Sequence, residues 1–163
     1  ETDIRVLQKF RGGESGWSWL AEQQTDTFRV ERLFDYDNTK SAEVSEVNLI
    51  ISVSAEIAIA RINAVKSANI PTYVLRSAYQ GLDAIRSEQD TNDFISTFRR
   101  EAIEQIRQDF PQASIINLFP AMPASLPVRI GMNYLKNVDV EWRMYNHRGE
   151  DGFVCAVSIK GGN

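Results

Sequence analysis

Residues 114–135, Ser-Ile-Ile-Asn-Leu-Phe-Pro-Ala-Met-Pro-Ala-Ser-Leu-Pro-Val-Arg-Ile-Gly-Met-Asn-Tyr-Leu, constrain the fold more than any other stretch of the chain. An apolar run of strand length, Ile115 to Phe119, breaks at Pro120. A loop of small residues follows, and a helical pattern opens near Ser125 with Pro127 in its first turn, where a missing N–H is harmless. A buried strand that passes into a helix through a tight loop is the repeating unit of α/β folds. In such folds the crevice at the carboxyl end of a parallel strand is where ligands bind, often with phosphate at the helix N-terminus.

The neighbouring segments extend the same pattern. Residues 47–54 (Val-Asn-Leu-Ile-Ile-Ser-Val-Ser) are β-rich and nearly continuous in apolar residues, as in a strand covered on both faces. A short helix is predicted around 58–68, and Pro71 introduces a strand over 72–77. Phe94, Ile95, Phe98, Ala102, Ile103, Ile106 and Phe110 recur at three- and four-residue steps, which places them on one helix face. Asp90 or Thr91 is the predicted cap of this helix, and Pro111 stops it. After the helix predicted at 125–136, alternating runs at 138–146 and 153–159 flank the polar turn 147–152 and read as a β-hairpin. Residues 27–34 have strand character. The rest of 1–45, with its Gly-rich segment 11–16 followed by Trp17 and Trp19, is the least clearly patterned part. The expected fold is α/β and Rossmann-like: a mainly parallel sheet flanked by helices, closing on a C-terminal β-hairpin. One domain spans 1–163, with 46–163 as its α/β core.

A chain of 163 residues suits one domain with a real core, and 43% hydrophobic with 25% charged residues is a globular composition. No apolar run approaches the roughly 20 residues that span a bilayer, and no signal-peptide pattern opens the chain. It begins with Glu rather than Met, as an excised piece of a longer polypeptide would. Cys155 is the single cysteine, so no internal disulfide and no multi-cysteine metal site can form. Its alternating neighbours predict a buried strand position, and a cytoplasmic location is the simplest expectation. The net charge of −4 argues against sequence-blind binding to long nucleic acid, yet leaves room for a small anionic ligand.

Catalytic signals are sparse. His147, the only histidine, sits in the polar turn. No G-x-x-x-x-G-K-[ST] or G-x-G-x-x-G loop occurs, and the 22 acidic residues show no privileged pair. No metal and no cofactor is expected. Binding signals are clearer. The loop Phe119, Pro120, Ala121, Met122, Pro123, Ala124, Ser125 has too few N–H groups for a full phosphate cradle. Its small side chains suit close approach of a flat base, although a plain connection with Ser125 as helix cap is an equal reading. Arg76 and Ser77 end the strand 72–77, with Tyr79 just beyond, and Ser52 and Ser54 end the strand 47–54. Serine can bond phosphate or ribose, and arginine can grip phosphate. Trp17 and Trp19 offer stacking surface, or serve as core anchors.

These residues resemble the SAVED domain, the CARF-related sensor of bacterial CBASS antiphage effectors. The resemblance covers roughly 47–160. It rests on Leu49-Ile50-Ile51-Ser52-Val53-Ser54, on Ile85-Arg86-Ser87 before the long helix, on the loop 119–125 with Gly131 six residues beyond, and on Met144-Tyr145 with the closing strand. Met132 departs from it, since the family often carries a basic residue there. The family domain is also longer, being two CARF-like halves. The resemblance implies a receptor, not a catalyst. It would bind a cyclic di- or trinucleotide, assemble into a homo-oligomer and activate a fused N-terminal effector such as an HNH endonuclease, all in the bacterial cytoplasm and away from membranes. The ligand-binding residues it suggests are Trp17, Trp19, Ser54, Arg76, Ser77, Tyr79, Phe119, Pro120, Ala121, Met122 and Ser125. Two alternatives stand beside it: a Rossmann-like nucleotide-processing enzyme such as a ring nuclease, and a structural oligomerisation module.

Overall fold

The apolar run at 47–54 becomes β2 (Glu46–Ser52), six of whose seven residues are buried. A strand with apolar side chains on both faces must lie inside a sheet, and β2 is flanked by β3 (Thr72–Ser77) and β4 (Ile115–Ala121), both parallel to it. The computed structural model describes residues 27–34, 43–81 and 83–161. With β1 (Phe28–Arg32), β5 (Glu141–His147) and β6 (Phe153–Ile159), these strands form one sheet in the order β1-β3-β2-β4-β5-β6. The four inner strands are parallel, and the two outer strands join antiparallel. The expected α/β sheet closing on a hairpin is what forms. Among the described residues, no helix is long and apolar enough to cross a membrane.

Side-chain parity divides the core. Odd residues of β2 and β3 (Val47, Leu49, Ile51, Tyr73, Leu75) face a large cluster completed by Phe94, Phe98, Ala102, Ile103, Ile106 and Phe110. Even residues (Ile50, Val74) face a smaller cluster with Phe119, Tyr145 and Phe153. That second face is covered by α1 (Ile59–Asn63), which starts one residue later and ends five residues earlier than the predicted 58–68, through Ile62 and the preceding Ile57.

The long helix is a composite. It runs α2 (Glu88–Thr97), a π-helical segment (Phe98–Ile103) and α3 (Glu104–Asp109). On a 3.6-residue helix each four-residue step drifts about 40° around the axis, so Phe94, Phe98, Ala102, Ile106 and Phe110 would spiral off the sheet. The wider i→i+5 turn slows that rotation and keeps all five buried. The start also differs from expectation. Ser87, not Asp90 or Thr91, is the cap, and its hydroxyl accepts from the Asp90 N–H while the Asp90 carboxylate accepts from Ser87 N–H, a capping box.

Four further expectations need correction. β4 does not break at Pro120 but runs through it to Ala121. The Ala121 carbonyl accepts from Val53 and Ser54, just past the end of β2, so alternation turns the backbone nitrogen of Pro120 toward β5, whose ladder to β4 already stops at Leu118 opposite Met144. The missing N–H of Pro120 therefore breaks no bond. Ser125 is not the cap of α4 (Ser125–Met132) but its first residue, buried behind Ala124, and the helix ends four residues short of 136. Residues 138–140 lie outside β5. Cys155 is exposed: it shares the parity of buried Phe153, but β6 is an edge strand left uncovered beyond that residue, and a bulge at Ala156, between the pairs Tyr145–Cys155 and Met144–Val157, follows it.

Candidate functional site

Three parallel strands end side by side at one rim. From β2 the chain moves to β3 on one flank and later to β4 on the other, so the crevice beyond the carboxyl ends of β2 and β4 is a topological switch point. Register fixes what lines it. Ser52 lies opposite both Arg76 and Ala121, and Arg29 of β1 continues the row beyond Arg76. Registered neighbours share a face, so Arg29, Arg76, Ser52 and Ala121 stand abreast about 4.8 Å apart per strand. One row beneath, Val74, Ile50 and Phe119 form a fully buried apolar floor.

The loops above the row are tied together. Val53 N–H and Ser54 N–H both donate to the Ala121 carbonyl, at 2.9 and 2.7 Å, and Gly81 N–H donates to the Val53 carbonyl at 3.3 Å. The loop after β2 crosses the second face, placing Ile57 in the smaller cluster and Glu56 against Arg76. Gln80 Nε2 also donates to Glu56, at 2.9 Å. Arg76 Nε reaches Glu31 at 3.3 Å, and Glu31 in turn pairs with Arg29 at 2.7 Å. The bonds from Arg76 and then Gln80 hold the Glu56 carboxyl below the usual glutamate range, and the Glu56 bond raises Arg76.

Two hydroxyls in this place are unusual. Ser52 Oγ and Ser54 Oγ are both buried, and neither has a hydrogen-bond partner among the described residues. A buried polar group left unpaired costs about 1–3 kcal/mol, so two on one strand end need a reason beyond packing. Further along the same face most polar groups are paired, the Asn117 Oδ1 being a further buried atom with no partner among the described residues. Glu46 accepts from Lys66 at 2.7 Å and from Asn117 at 2.8 Å, and Asn117 donates to Asn48 at 3.1 Å. Among the described residues, no group of His, Cys, Asp and Glu is arranged to hold a metal ion.

The structure brings together Arg76, Ser54 and Ala121 of the predicted set. Ser77 points to the opposite face from Arg76, and its hydroxyl is engaged with the backbone of Tyr79 at 3.2 Å. Tyr79 is 56% exposed at the rim. Phe119 stacks on Tyr145 with ring centroids 4.6 Å apart, beneath the row. Pro120 and Met122 turn to the larger-cluster side, where Ser125 is buried in the first turn of α4. Trp17 and Trp19 lie outside the described residues. Sequence reasoning missed Glu56, Glu31 and Gln80, and left Ser52 out of the binding set. Ser52 was legible in the even parity it shares with Ser54 and Arg76. The carboxylates were not, because only strand pairing brings Glu31 and Glu56 to Arg76.

Comparisons with known proteins agree with this architecture. Two solved structures of the Acinetobacter baumannii Cap4 SAVED/CARF-domain containing receptor are similar over 86% of this chain. The one with the cyclic trinucleotide 2'3'3'-cAAA has a TM-score of 0.59 at 13% identity, and the one with 3'3'3'-cAAA a TM-score of 0.51 at 16% identity. The chain spans 28% of the length of those receptor chains. No curated protein sequence matches. A family model for SAVED, the SMODS-associated and fused to various effectors sensor domain, matches residues 1–159. With a match over nearly its whole length and the sheet that goes with it, this chain belongs to the SAVED family of sensor domains.

Proposed function

We propose that this domain is a receptor for a cyclic oligonucleotide second messenger, a cyclic di- or trinucleotide, held at the rim where β2, β3 and β4 end. The observation that carries the reading is the row Arg76–Ser52–Ala121 at the switch point: a guanidinium, a buried hydroxyl with no partner among the described residues and a residue without bulk. Arg76 and Ser54 address phosphate or ribose, Ala121 lets a base approach the backbone, and Tyr79 with Trp17 and Trp19 supplies stacking surface. A cyclic ligand is already constrained, which reduces the entropy lost on binding. The domain acts as sensor and not catalyst, in the bacterial cytoplasm. Occupancy favours a homo-oligomer, and this activates an effector fused on the N-terminal side in antiphage defence.

A thermal-shift panel of cyclic di- and trinucleotides tests the reading, with linear oligonucleotides of the same bases as controls. A ligand at 100 times its Kd stabilises by about 2.7 kcal/mol, and a domain of this size gains about 2–4 °C per kcal/mol. One cyclic compound should therefore raise Tm by about 5–10 °C, and light scattering should show a rise in mass. No shift with any cyclic compound refutes the receptor reading.

A further inference from the structure

The row at the rim carries two cations and two carboxylates in alternation: Arg29, Glu31, Arg76, Glu56. Their charges sum to zero, so the guanidinium of Arg76 stands neutralised where a phosphate would need it. One carboxylate has to leave before Arg76 can serve an anion. Glu31 is fixed, because it lies on β1, opposite Val74, and is held by both Arg29 and Arg76. Glu56 is different. It sits on the loop between β2 and α1, and its side chain is 49% exposed. That loop crosses the face on which Ser52 is sealed at 0% exposure with its hydroxyl unpartnered.

Resting on the receptor reading above, we propose that Glu56 is an internal competitor for the ligand's phosphate. In the empty domain its carboxylate occupies Arg76, with Gln80 as a second donor. A ligand phosphate takes its place on Arg76, releases Glu56 and Gln80 together, and opens the path to the Ser52 hydroxyl. Displacement of this one carboxylate loosens a tie between the loop after β2 and the loop after β3, which couples occupancy to a change in shape at the rim.

The test is isothermal titration of the 163-residue chain with a panel of cyclic di- and trinucleotides that includes 2'3'3'-cAAA and 3'3'3'-cAAA. It compares wild type, Glu56→Gln, Arg76→Ala and the double variant. Glu56→Gln keeps the side-chain shape and removes the competing charge, so the tightest ligand should bind about three- to tenfold more tightly. Arg76→Ala should weaken binding at least about tenfold, and Glu56→Gln should then give no gain on that background. Arg76→Lys replaces it should the alanine variant unfold on circular dichroism. Wild type that binds while Glu56→Gln binds no more tightly overturns the competitor and leaves the receptor reading standing. A gain that persists without Arg76 also overturns it. Wild type that binds nothing in the panel overturns both.

Discussion

Asp109 offers the sharpest test of how the helix layer is fastened to the sheet. It ends α3 at 5% exposure and gathers donors from Arg32, Gln105 and Tyr73. Its Oδ1 accepts from Arg32 Nη2 and Gln105 Nε2, each at 2.9 Å, and its Oδ2 accepts from Arg32 Nε at 2.8 Å and from the Tyr73 hydroxyl. Burial first, and the Asp109 carboxylate second, push the Tyr73 phenol above its ordinary range, so it stays a donor. Tyr73→Phe removes one donor from a carboxylate that keeps those of Arg32 and Gln105, which costs about 1–2 kcal/mol. Asp109→Ala strands the hydroxyl of a residue that is 0% exposed, which costs about 1–3 kcal/mol. Arg32 is 39% exposed and turns to water, so its lost pairing adds only about 1 kcal/mol. The alanine variant should thus lose about 2–4 kcal/mol in urea unfolding, measured at unchanged m-value. The signature is in the cycle. On the Tyr73→Phe background no hydroxyl is stranded, so Asp109→Ala should cost about 1–3 kcal/mol less than alone. Costs that add within about 0.5 kcal/mol refute the reasoning.

Two more outcomes follow from caps and charges. Ser87→Ala removes the capping-box hydroxyl and should lower stability by about 1 kcal/mol, with faster amide exchange at Asp90. Burial opposes ionisation of Glu46, but the bonds from Asn117 and Lys66 outweigh it and hold its pKa below 4.5, the value of a free glutamate. A depressed acid contributes stability above its unfolded pKa and loses it as pH falls through the folded value. The pair should therefore stabilise fully above about pH 4.5 and fade below it. Lys66→Met should cost about 1–2 kcal/mol at pH 7 and visibly less at pH 3 in urea titrations, and an equal cost at both would contradict the assignment.

The elements legible in the sequence were those whose pattern depends on local period and burial. Strands 72–77 and 153–159 came out with their observed bounds, because Pro71 and the turn at 147–152 mark their limits. The helix face from Phe94 to Phe110 was equally plain, but its π turn was not. A run of four-residue steps is compatible with an α-helix until the sheet it must follow is known. Pro120 misled for the same reason. A proline ends a strand only where a neighbour needs its N–H, and the stopping point of the β4–β5 ladder is a tertiary fact. Cys155 failed as a buried position because it keeps the parity of buried Phe153 but lies on an edge strand that is exposed beyond that residue, a tertiary fact. At the site, Arg76 and the serines were visible as strand-end residues, while the carboxylates around Arg76 come from β1 and from a loop 20 residues upstream of it.

The two faces of the sheet differ in a way that would let the rim respond to the proposed ligand without unfolding the domain. The larger-cluster face carries the composite helix with five buried Phe and Ile side chains, each worth about 1.5–3 kcal/mol of burial, so it stays put. The other face is held near the rim by Ile57, which is 8% exposed, and by the bonds of Glu56, whose side chain is half exposed. An exposed ion pair contributes about 0.2–1 kcal/mol. A phosphate that replaced it, as proposed, would make charge-assisted bonds worth about 1.5–3 kcal/mol each and would supply Ser52 with a partner that it lacks among the described residues. The difference favours exchange of Glu56 but not extraction of Ile57, whose burial is comparable to the whole gain. Motion should therefore run through residues 54–56 and stop at Ile57, and hydrogen exchange on ligand binding should change at 54–56 and 78–81 while β2 stays protected.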